Sequence, residues 1–190
     1  MLESLLTEIR QCTVCEPHLP LGANPVIRAH SAAKILIIGQ APGTKVHNTS
    51  IPWNDASGER LRQWLGLDRE AFYCQENIAI MPMGLCYPGK GRSGDLPPRK
   101  ECAPLWHAKV LEQLPNRQLT LLIGQYAQHY YLSDKPSTLT ETVQQWQRWA
   151  PSVLPLPHPS PRNTLWLKNH PWFEQDIVPY LRQRVKQVLT

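Results

Sequence analysis

The chain has 190 residues, 42% of them hydrophobic and 18% charged, and its 20 lysines and arginines outnumber its 15 acidic residues for a net charge of +5. This composition excludes a disordered chain and indicates one globular domain over residues 1–190, large enough to bury a substantial core. The modest positive charge fits a polyanionic partner but does not require one.

Residues 1–10 contain two glutamates and no sustained apolar stretch, so we expect no secretory signal peptide. No apolar run approaches the roughly 20 residues that cross a membrane as a helix. We therefore expect a cytoplasmic protein that does not enter a membrane. In that compartment thiols stay reduced, and paired cysteines hold metal more often than they form disulfides.

Four short apolar runs are typical of buried parallel strands. They lie at residues 34–39, 78–83, 119–124 and 153–157. Between them, apolar spacing predicts helices at residues 58–66, 101–114 and 173–189. A further helix is predicted to begin at Thr138, which can form a capping box with Glu141 and precedes the apolar positions Val143 and Trp146.

Alternating strands and helices indicate an α/β protein, specifically a three-layer α/β/α domain with a central, mainly parallel four-stranded sheet. In such folds ligands bind outside the carboxyl ends of the strands. The turn at residues 39–43, the loop after residue 83, Gly124 and the loop beginning at His158 each follow one strand. We expect these loops to converge on one edge of the sheet and to form the functional site there.

Four of the five cysteines have the spacing of a metal site. Cys12 and Cys15 form a Cys-x-x-Cys, Cys86 and Cys102 stand sixteen residues apart further on, and Cys74 is the expected spare. Four thiolates suit zinc or an iron–sulfur cluster, and the spacing fits both. The alternative is a pair of buried apolar thiols with an incidental Cys-x-x-Cys.

Two short motifs follow the first and the last of the four predicted strands. Residues 39–43 are Gly-Gln-Ala-Pro-Gly, and residues 158–161 are His-Pro-Ser-Pro. The glycines of the first allow main-chain N–H groups to point at a ligand, although Pro-Gly is also common in ordinary turns. The prolines of the second restrict the loop that carries His158.

Together, the Cys-x-x-Cys, the Gly-x-Ala-Pro-Gly turn, the two later cysteines and the His-Pro-Ser-Pro loop resemble the family-4-type uracil-DNA glycosylases, which carry a 4Fe–4S cluster. The resemblance extends from Cys12 to at least Arg162. It implies a 4Fe–4S cluster with a structural role, zinc being the alternative. The implied ligands are Cys12, Cys15, Cys86 and Cys102.

The resemblance also implies a pocket for a base taken out of the DNA stack. Trp53 stands where family-4 members have a phenylalanine that stacks on uracil, and such stacking contributes roughly 1–3 kcal/mol. His158 would stabilise the negative charge that develops on the departing base. The base-binding residues expected on this ground are Gln40, Ala41, Gly43, Trp53 and Met83.

Departures from the family pattern affect the catalytic carboxylates. Ala41 stands where several glycosylase families have Asp or Asn, and Gln40 where family-4 members often have Glu. We expect Gln40 and Asp55 to act beside His158, with Asp55 positioning water; its alternative role is to cap the helix that follows. No asparagine follows the second strand to read uracil, and Pro82 falls near that place.

Two basic segments are expected to contact DNA. Lys90 and Arg92 lie in a glycine-rich loop and could neutralise phosphates, although a solvated loop explains their charges nearly as well. Ser160 and Arg162 follow His158. Arg162 is the candidate to fill the space that a flipped base leaves, or to contact the minor groove.

These observations predict a monomeric DNA glycosylase, a hydrolase of N-glycosyl bonds whose partner is DNA containing a damaged base. It would flip a deaminated base, uracil first, out of DNA and hydrolyse its N-glycosidic bond in base excision repair. Two alternatives stay open. One is a non-catalytic protein of the same fold that binds uracil or damaged DNA, and the other is a glycosylase for hypoxanthine or xanthine.

Overall fold

The computed structural model describes residues 1–190. Its strands are Ile35–Ile38 (β1), Ile78–Ile80 (β2), Lys90–Gly91 (β3), Gly94–Asp95 (β4), Leu119–Ile123 (β5) and Val153–Leu156 (β6). Its α-helices are Leu2–Arg10 (α1), Thr44–Thr49 (α2), Ala56–Leu65 (α3), Arg69–Phe72 (α4), Ala108–Glu112 (α5), Gln125–Tyr131 (α6), Leu139–Gln144 (α7), Thr164–Asn169 (α8) and Val178–Leu189 (α9).

Four strands form a parallel sheet in the order β2-β1-β5-β6. In its centre Ile35 pairs with Ile78 on one side and Leu119 on the other. Pro155 lies within β6 opposite Leu122, on an edge strand where a proline is tolerated. All four strands fall within the predicted apolar runs, and the predicted sheet is confirmed.

Helices cover both faces of the sheet, as the alternation of side chains in β1 shows. Ile35 and Ile37 point into a core of 21 buried residues that α3 and α9 complete. Leu36 and Ile38 point into a second core, of 20 buried residues, on the other face, which α1, α5 and α6 complete. Two cores of nearly equal size on the two faces of one sheet make the three-layer α/β/α architecture.

Two of the predicted helices begin with a π-helical stretch before their α-helical part. Short π-helical stretches at Ala103–His107 and Phe173–Ile177 lead directly into α5 and α9. The predicted start of α7 is correct, because the Thr138 hydroxyl accepts the Glu141 amide at 3.2 Å. The helix is shorter than predicted, however, and Trp146 begins a separate 3₁₀ turn, Trp146–Arg148.

A small antiparallel ribbon stands apart from the main sheet. It consists of β3 and β4, in which Lys90 pairs with Asp95 and Gly91 with Gly94. The ribbon was not predicted, and it lies on the long connection between β2 and α5. None of the helices is both long and apolar enough to span a membrane.

Candidate active site

A cleft of about 630 Å³ lies at the carboxyl ends of the parallel strands. Each strand supplies part of its lining through the residues that follow it: the turn at residues 39–43 after β1, Pro82 after β2, Gln125 after β5 and His158 after β6. The predicted convergence of the four loops on one edge is therefore present. The ribbon formed by β3 and β4 closes another side of the cleft.

Trp53 forms one wall of the cleft and is held very close to the main chain. A Cβ atom on Gly39 would lie 2.8 Å from Cζ2 of the Trp53 indole, so this approach requires glycine. The indole also packs partly against the core beneath α3. Trp53 thus serves as a wall of the cleft while its inner edge contacts the core.

The backbone of Trp53 is unusual for a residue with a side chain, since its φ is +60°. Helix α3 holds this conformation in place. The Arg62 guanidinium donates to the Trp53 carbonyl at 3.0 Å. A Cβ on Gly58 would lie only 1.7 Å from that same carbonyl oxygen. Such a conformation persists only where the surroundings determine it strongly, which is common at functional sites.

His158 lies beside Trp53, their ring centroids being 5.6 Å apart with an angle of 34° between the ring planes. The Ser160 amide donates to Nδ1 of His158 at 3.1 Å. Nδ1 is therefore the acceptor, and the neutral ring carries its proton on Nε2. Nε2 has no hydrogen-bond partner within the protein and is left for a ligand.

Burial lowers the pKa of His158 to about 4, although the nearby Asp55 carboxylate acts in the opposite direction. Burial favours the neutral ring because it removes water from the charged form. Near neutral pH the side chain therefore offers a neutral N–H donor to the cleft.

The loop after His158 is fixed by its own hydrogen bonds. The Asn163 side chain donates to the His158 carbonyl at 2.8 Å, and the Ser160 hydroxyl accepts the Arg162 amide at 3.2 Å. From α3, the Arg60 guanidinium donates to the Ser160 carbonyl at 3.3 Å. These bonds hold His158 in one orientation relative to Trp53.

Asp55 lines the cleft and also caps α3. Its Oδ1 accepts the Gly58 amide at 2.8 Å, which is the expected geometry of an N-terminal cap. The capping role that the sequence left open for Asp55 is thus present. It occupies one carboxylate oxygen of a residue that was also expected to position water.

Gln40, Ala41 and Gly43 line the cleft as expected. Met83 does not line it: its side chain is 7% exposed and lies in the core on the α1 and α5 face of the sheet. Its main-chain amide supports the turn instead, by donating to the Gly39 carbonyl at 2.9 Å. Pro82, rather than Met83, lines the cleft after β2.

The basic residues expected to contact DNA lie at the mouth of the cleft, with one exception. Lys90 and Arg162 line the cleft, as does Ser160, whereas Arg92 is exposed at the tip of the ribbon outside the cleft. The Arg162 guanidinium donates to the Ser93 carbonyl and so joins the His158 loop to the ribbon.

Several polar cleft residues were not predicted from the sequence, among them Gln125 and Asp95. Gln125, at the start of α6, adds a second side-chain amide beside Gln40. Asp95, on β4, brings a carboxylate to the turn at residues 39–43, with its Oδ2 3.6 Å from where a Gly43 Cβ would stand. No sequence signal marked Asp95, because only the folding of the ribbon brings it to this turn.

Asp95 is the second carboxylate of the cleft, after Asp55. The residue is exposed, but partial desolvation of its carboxylate in the cleft raises its pKa, while the positive charges of Arg162 and Lys90 act in the opposite direction. Neither cation forms a salt bridge with it, since the ion pairs of the protein are Arg99–Glu101 and Arg148–Asp134.

The four cysteines expected to bind a metal lie away from the cleft. Cys15, Cys86 and Cys102 are 7%, 7% and 8% exposed, and Cys12 is partly buried. Burial is the main cause that raises the pKa of the Cys102 thiol to about 11, and the thiols of Cys15, Cys86 and Cys12 act in the same direction. Cys15 and Cys86 pack together in one small apolar cluster with Leu19.

The chemistry of this set fits an iron–sulfur cluster or zinc, since it offers four soft, largely buried donors. The main chain at Asn24 lowers the pKa of Cys86, and the main chain at Leu85 lowers that of Cys102, although burial has the larger, opposite effect on both thiols. In this structure no three ligating side chains are gathered closely enough to hold a single metal ion.

Comparison with known proteins places these features in a family. The family model of the uracil DNA glycosylase superfamily matches residues 28–182. The chain is also similar to a type-4 uracil-DNA glycosylase from Thermotoga maritima, with 22% identity over 162 residues that cover 84% of this chain and 82% of the relative. The matched region contains all four parallel strands and the whole cleft lining apart from Val26. The chain belongs to the uracil DNA glycosylase superfamily.

Proposed function

We propose that this protein is a DNA glycosylase that takes a deaminated base, uracil first, out of DNA and hydrolyses its N-glycosidic bond, leaving an abasic site in base excision repair. The membership of the superfamily and the similarity to a type-4 uracil-DNA glycosylase support the general activity. The finer assignments rest on the cleft.

The single observation that carries the proposal is the pairing of Trp53 with a neutral His158 in the cleft. Breaking the bond between base and sugar leaves negative charge on the departing base. The Nε2–H of His158 is a fixed donor that can meet this charge, and a donor that is already oriented needs no reorganisation when the charge appears.

Trp53 would hold the base by stacking. Its indole forms a wall of the cleft next to the His158 ring, so a base lying on the indole would bring its edge towards Nε2. Gln40, Ala41 and Gly43 would line the rest of the pocket. Stacking accepts any base, so the choice of base must depend on polar groups.

The amides of Gln40 and Gln125 are the polar groups best suited to read the base edge. Each carries both donors and an acceptor. An amide of this kind can match uracil as well as hypoxanthine or xanthine, and this favours testing the deaminated purines alongside uracil. No asparagine follows β2 to read uracil, and this also favours testing the deaminated purines.

DNA would be bound along the mouth of the cleft. Lys90, Ser160 and Arg162 line it, and Arg92 is exposed on the same ribbon as Lys90. Phosphate contacts of this kind contribute affinity that does not depend on sequence and that salt weakens. We propose that the protein acts as a monomer on DNA with one damaged base in the cleft.

Cys12, Cys15, Cys86 and Cys102 would hold a 4Fe–4S cluster, with zinc as the alternative metal. When bound, the group would join the N-terminal segment to the long connection after β2 by metal–sulfur bonds. None of the four lines the cleft, so the role proposed for them is to stabilise the fold.

One observation favours the second candidate, a protein that binds damaged DNA without turnover. Asp55 already uses Oδ1 as a helix cap, and Ala41 offers no side-chain acceptor for water. Single-turnover assays separate the two candidates. Oligonucleotides carrying uracil, hypoxanthine or xanthine are incubated with excess protein, and abasic sites are cleaved with alkali, while gel shifts on the same DNA report binding.

Base release from at least one of these lesions is the expected result. Selective gel shifts without any base release would support the binding protein and contradict the glycosylase. Equal binding to damaged and undamaged DNA, again without release, would contradict both.

A further inference from the structure

Hydrolysis of a glycosidic bond needs a water molecule held against the sugar carbon, usually by a carboxylate that also takes up its proton. The cleft contains two carboxylates, those of Asp55 and Asp95. Its remaining acceptors are neutral amides, hydroxyls and carbonyls. Asp55 and Asp95 are therefore the two candidates to hold the water.

Asp55 is the less suitable of the two. Its Oδ1 accepts the Gly58 amide at 2.8 Å, in a cap that orients the start of α3. A carboxylate tied to the backbone in this way is less able to rotate towards a water or to take up a proton, because the proton would compete with the cap.

Asp95 is free of such bonds. Its carboxylate forms no salt bridge, and its Oδ2 stands against Gly43, where the absence of a side chain leaves room between the ribbon and the turn. Lys90, paired with it across the ribbon, and Arg162, from the His158 loop, are the positive charges that act on it, and the Tyr87 hydroxyl is a further titratable neighbour.

The position of Asp95 also fits the direction of attack. Trp53 and His158 form one part of the cleft, and the turn with Asp95 forms another. A base held at Trp53 with its edge towards His158 would place its sugar in the remaining part of the same cleft, which the ribbon lines on one side. A water held by Asp95 would approach the sugar from that side.

We infer that Asp95 is the catalytic carboxylate that holds and deprotonates the attacking water, in a role that no residue of the Gly39–Gly43 turn can fill. The inference rests on the proposed glycosylase function. The water oxygen forms a bond to C1′ of the deoxyribose while the bond from C1′ to the base nitrogen breaks and its electron pair leaves with the base. One proton of the water passes to the Asp95 carboxylate, and the base anion, met by the Nε2–H of His158, later takes a proton from solvent.

The test compares Asp95→Asn with Asp55→Asn in single-turnover assays on the oligonucleotide that the wild-type protein cleaves best. Asp95→Asn keeps the shape of the side chain but cannot accept a proton, and we expect its rate constant to fall by about 10²-fold. Asp55→Asn keeps a capping side chain and is expected to retain most of the rate. Glu112→Gln, at the exposed end of α5, is the matched control because it changes the net charge equally away from the cleft.

A second pair of variants guards against a purely structural effect. Asp95→Ala leaves space for a small carboxylate, so added formate is expected to restore part of its rate while leaving its melting temperature unchanged. Asp55→Ala lacks the helix cap, and added formate is expected not to raise the rate of this variant.

The outcomes separate the inference from the proposed function. If the wild-type protein releases no base from any lesion, both fail. If it releases base and both Asp95 variants stay within about threefold of its rate, the glycosylase stands and the role of Asp95 is overturned. Rescue of Asp55→Ala by formate, with Asp95→Asn fully active, would assign the water to Asp55 instead.

Discussion

Trp53 and His158 owe their placement to small neighbours and main-chain hydrogen bonds rather than to contacts with each other alone. Gly39 admits the indole, Gly58 leaves space for the Trp53 carbonyl, and the Ser160 amide selects the tautomer of His158. At this scale the sequence identified both aromatic residues correctly as cleft residues, because their motifs were distinctive. It could not show the positive φ of Trp53, which depends on α3.

Replacing Trp53 by alanine should weaken binding of lesion-containing DNA by roughly 1–3 kcal/mol, the contribution of one base stacked on an aromatic ring. Binding of undamaged duplex should change little, because the phosphate contacts lie at the mouth of the cleft. Gel-shift titrations on matched damaged and undamaged oligonucleotides measure the difference. Trp53→Phe, which keeps an aromatic face, is the control, and equal losses on both DNAs would show that Trp53 acts only through the core.

The stability of the protein should depend on pH through two histidines, the buried His107 and the partly buried His158. Burial lowers the pKa of both His107 and His158 from 6.5 to about 4. Below pH 6.5 the unfolded chain takes up protons that the folded protein does not, so the free energy of unfolding falls as the pH drops from about 6.5 to about 4. Above about pH 6.5 both rings are neutral in the folded and in the unfolded protein, so neither makes the free energy of unfolding depend on pH.

Urea unfolding at pH 7 and pH 5 measures this effect. His158→Gln removes one of the two groups, and its loss of stability between the two pH values should be smaller than that of the wild-type protein. The same loss in both proteins would show that His158 is not held neutral by the fold.

At the scale of elements, α3 is the helix that organises the site. Its cap is Asp55, its first turn contains Gly58, and its Arg62 donates to the Trp53 carbonyl. Its C-terminal half packs into the core against α9. A change at the beginning of this helix should therefore reach the cleft through Trp53.

Gly58→Ala tests this dependence. Alanine is intrinsically the better helix former by about 1 kcal/mol, so propensity alone predicts a more stable protein. Because the added Cβ would stand 1.7 Å from the Trp53 carbonyl oxygen, we expect lower stability and weaker binding of lesion DNA instead. Thermal melting and gel shifts report the two effects. Glu59→Ala, at the next and exposed position of the helix, is the control, and a Gly58→Ala protein with wild-type binding would contradict the argument.

The sheet was predictable because its strands are buried on both faces and appear in the sequence as continuous apolar runs. The ribbon was not, since β3 and β4 have two residues each and contain glycine and charged residues without any apolar alternation. Asp95 was missed for the same reason. Met83 lies in the core beside the sheet, and Pro82 rather than Met83 lines the cleft after β2.

At the scale of the whole molecule, the proposed metal site and the cleft are separate. Cys12 and Cys15 lie in the N-terminal segment, Cys86 and Cys102 lie on the connection after β2, and the cleft lining contains none of the four. Cys102 and Cys12 belong to the core on the α1 and α5 face of the sheet, whereas Cys15 and Cys86 pack with Leu19 in a small separate cluster. Loss of the metal group should thus affect stability before it affects chemistry.

Cys86→Ser should lower both the iron content and the melting temperature, because it removes one ligand of the proposed cluster. Elemental analysis of the wild-type protein should find about four iron atoms per chain. Cys74→Ser is the matched control and should retain both iron and stability, since Cys74 lies outside the proposed set. One zinc atom per chain without iron would contradict the cluster and favour the alternative metal.

The central claim is that the neutral imidazole of His158 stabilises the base as it leaves, and single-turnover kinetics of His158→Ala test it most directly. The charge on the base appears only as the bond breaks, so the rate constant should fall by about 10²–10³-fold while the affinity for lesion DNA changes little. The exposed His129 of α6, replaced by alanine, is the control and should leave the rate unchanged. A His158→Ala protein that releases its best substrate base at the wild-type rate would contradict the account.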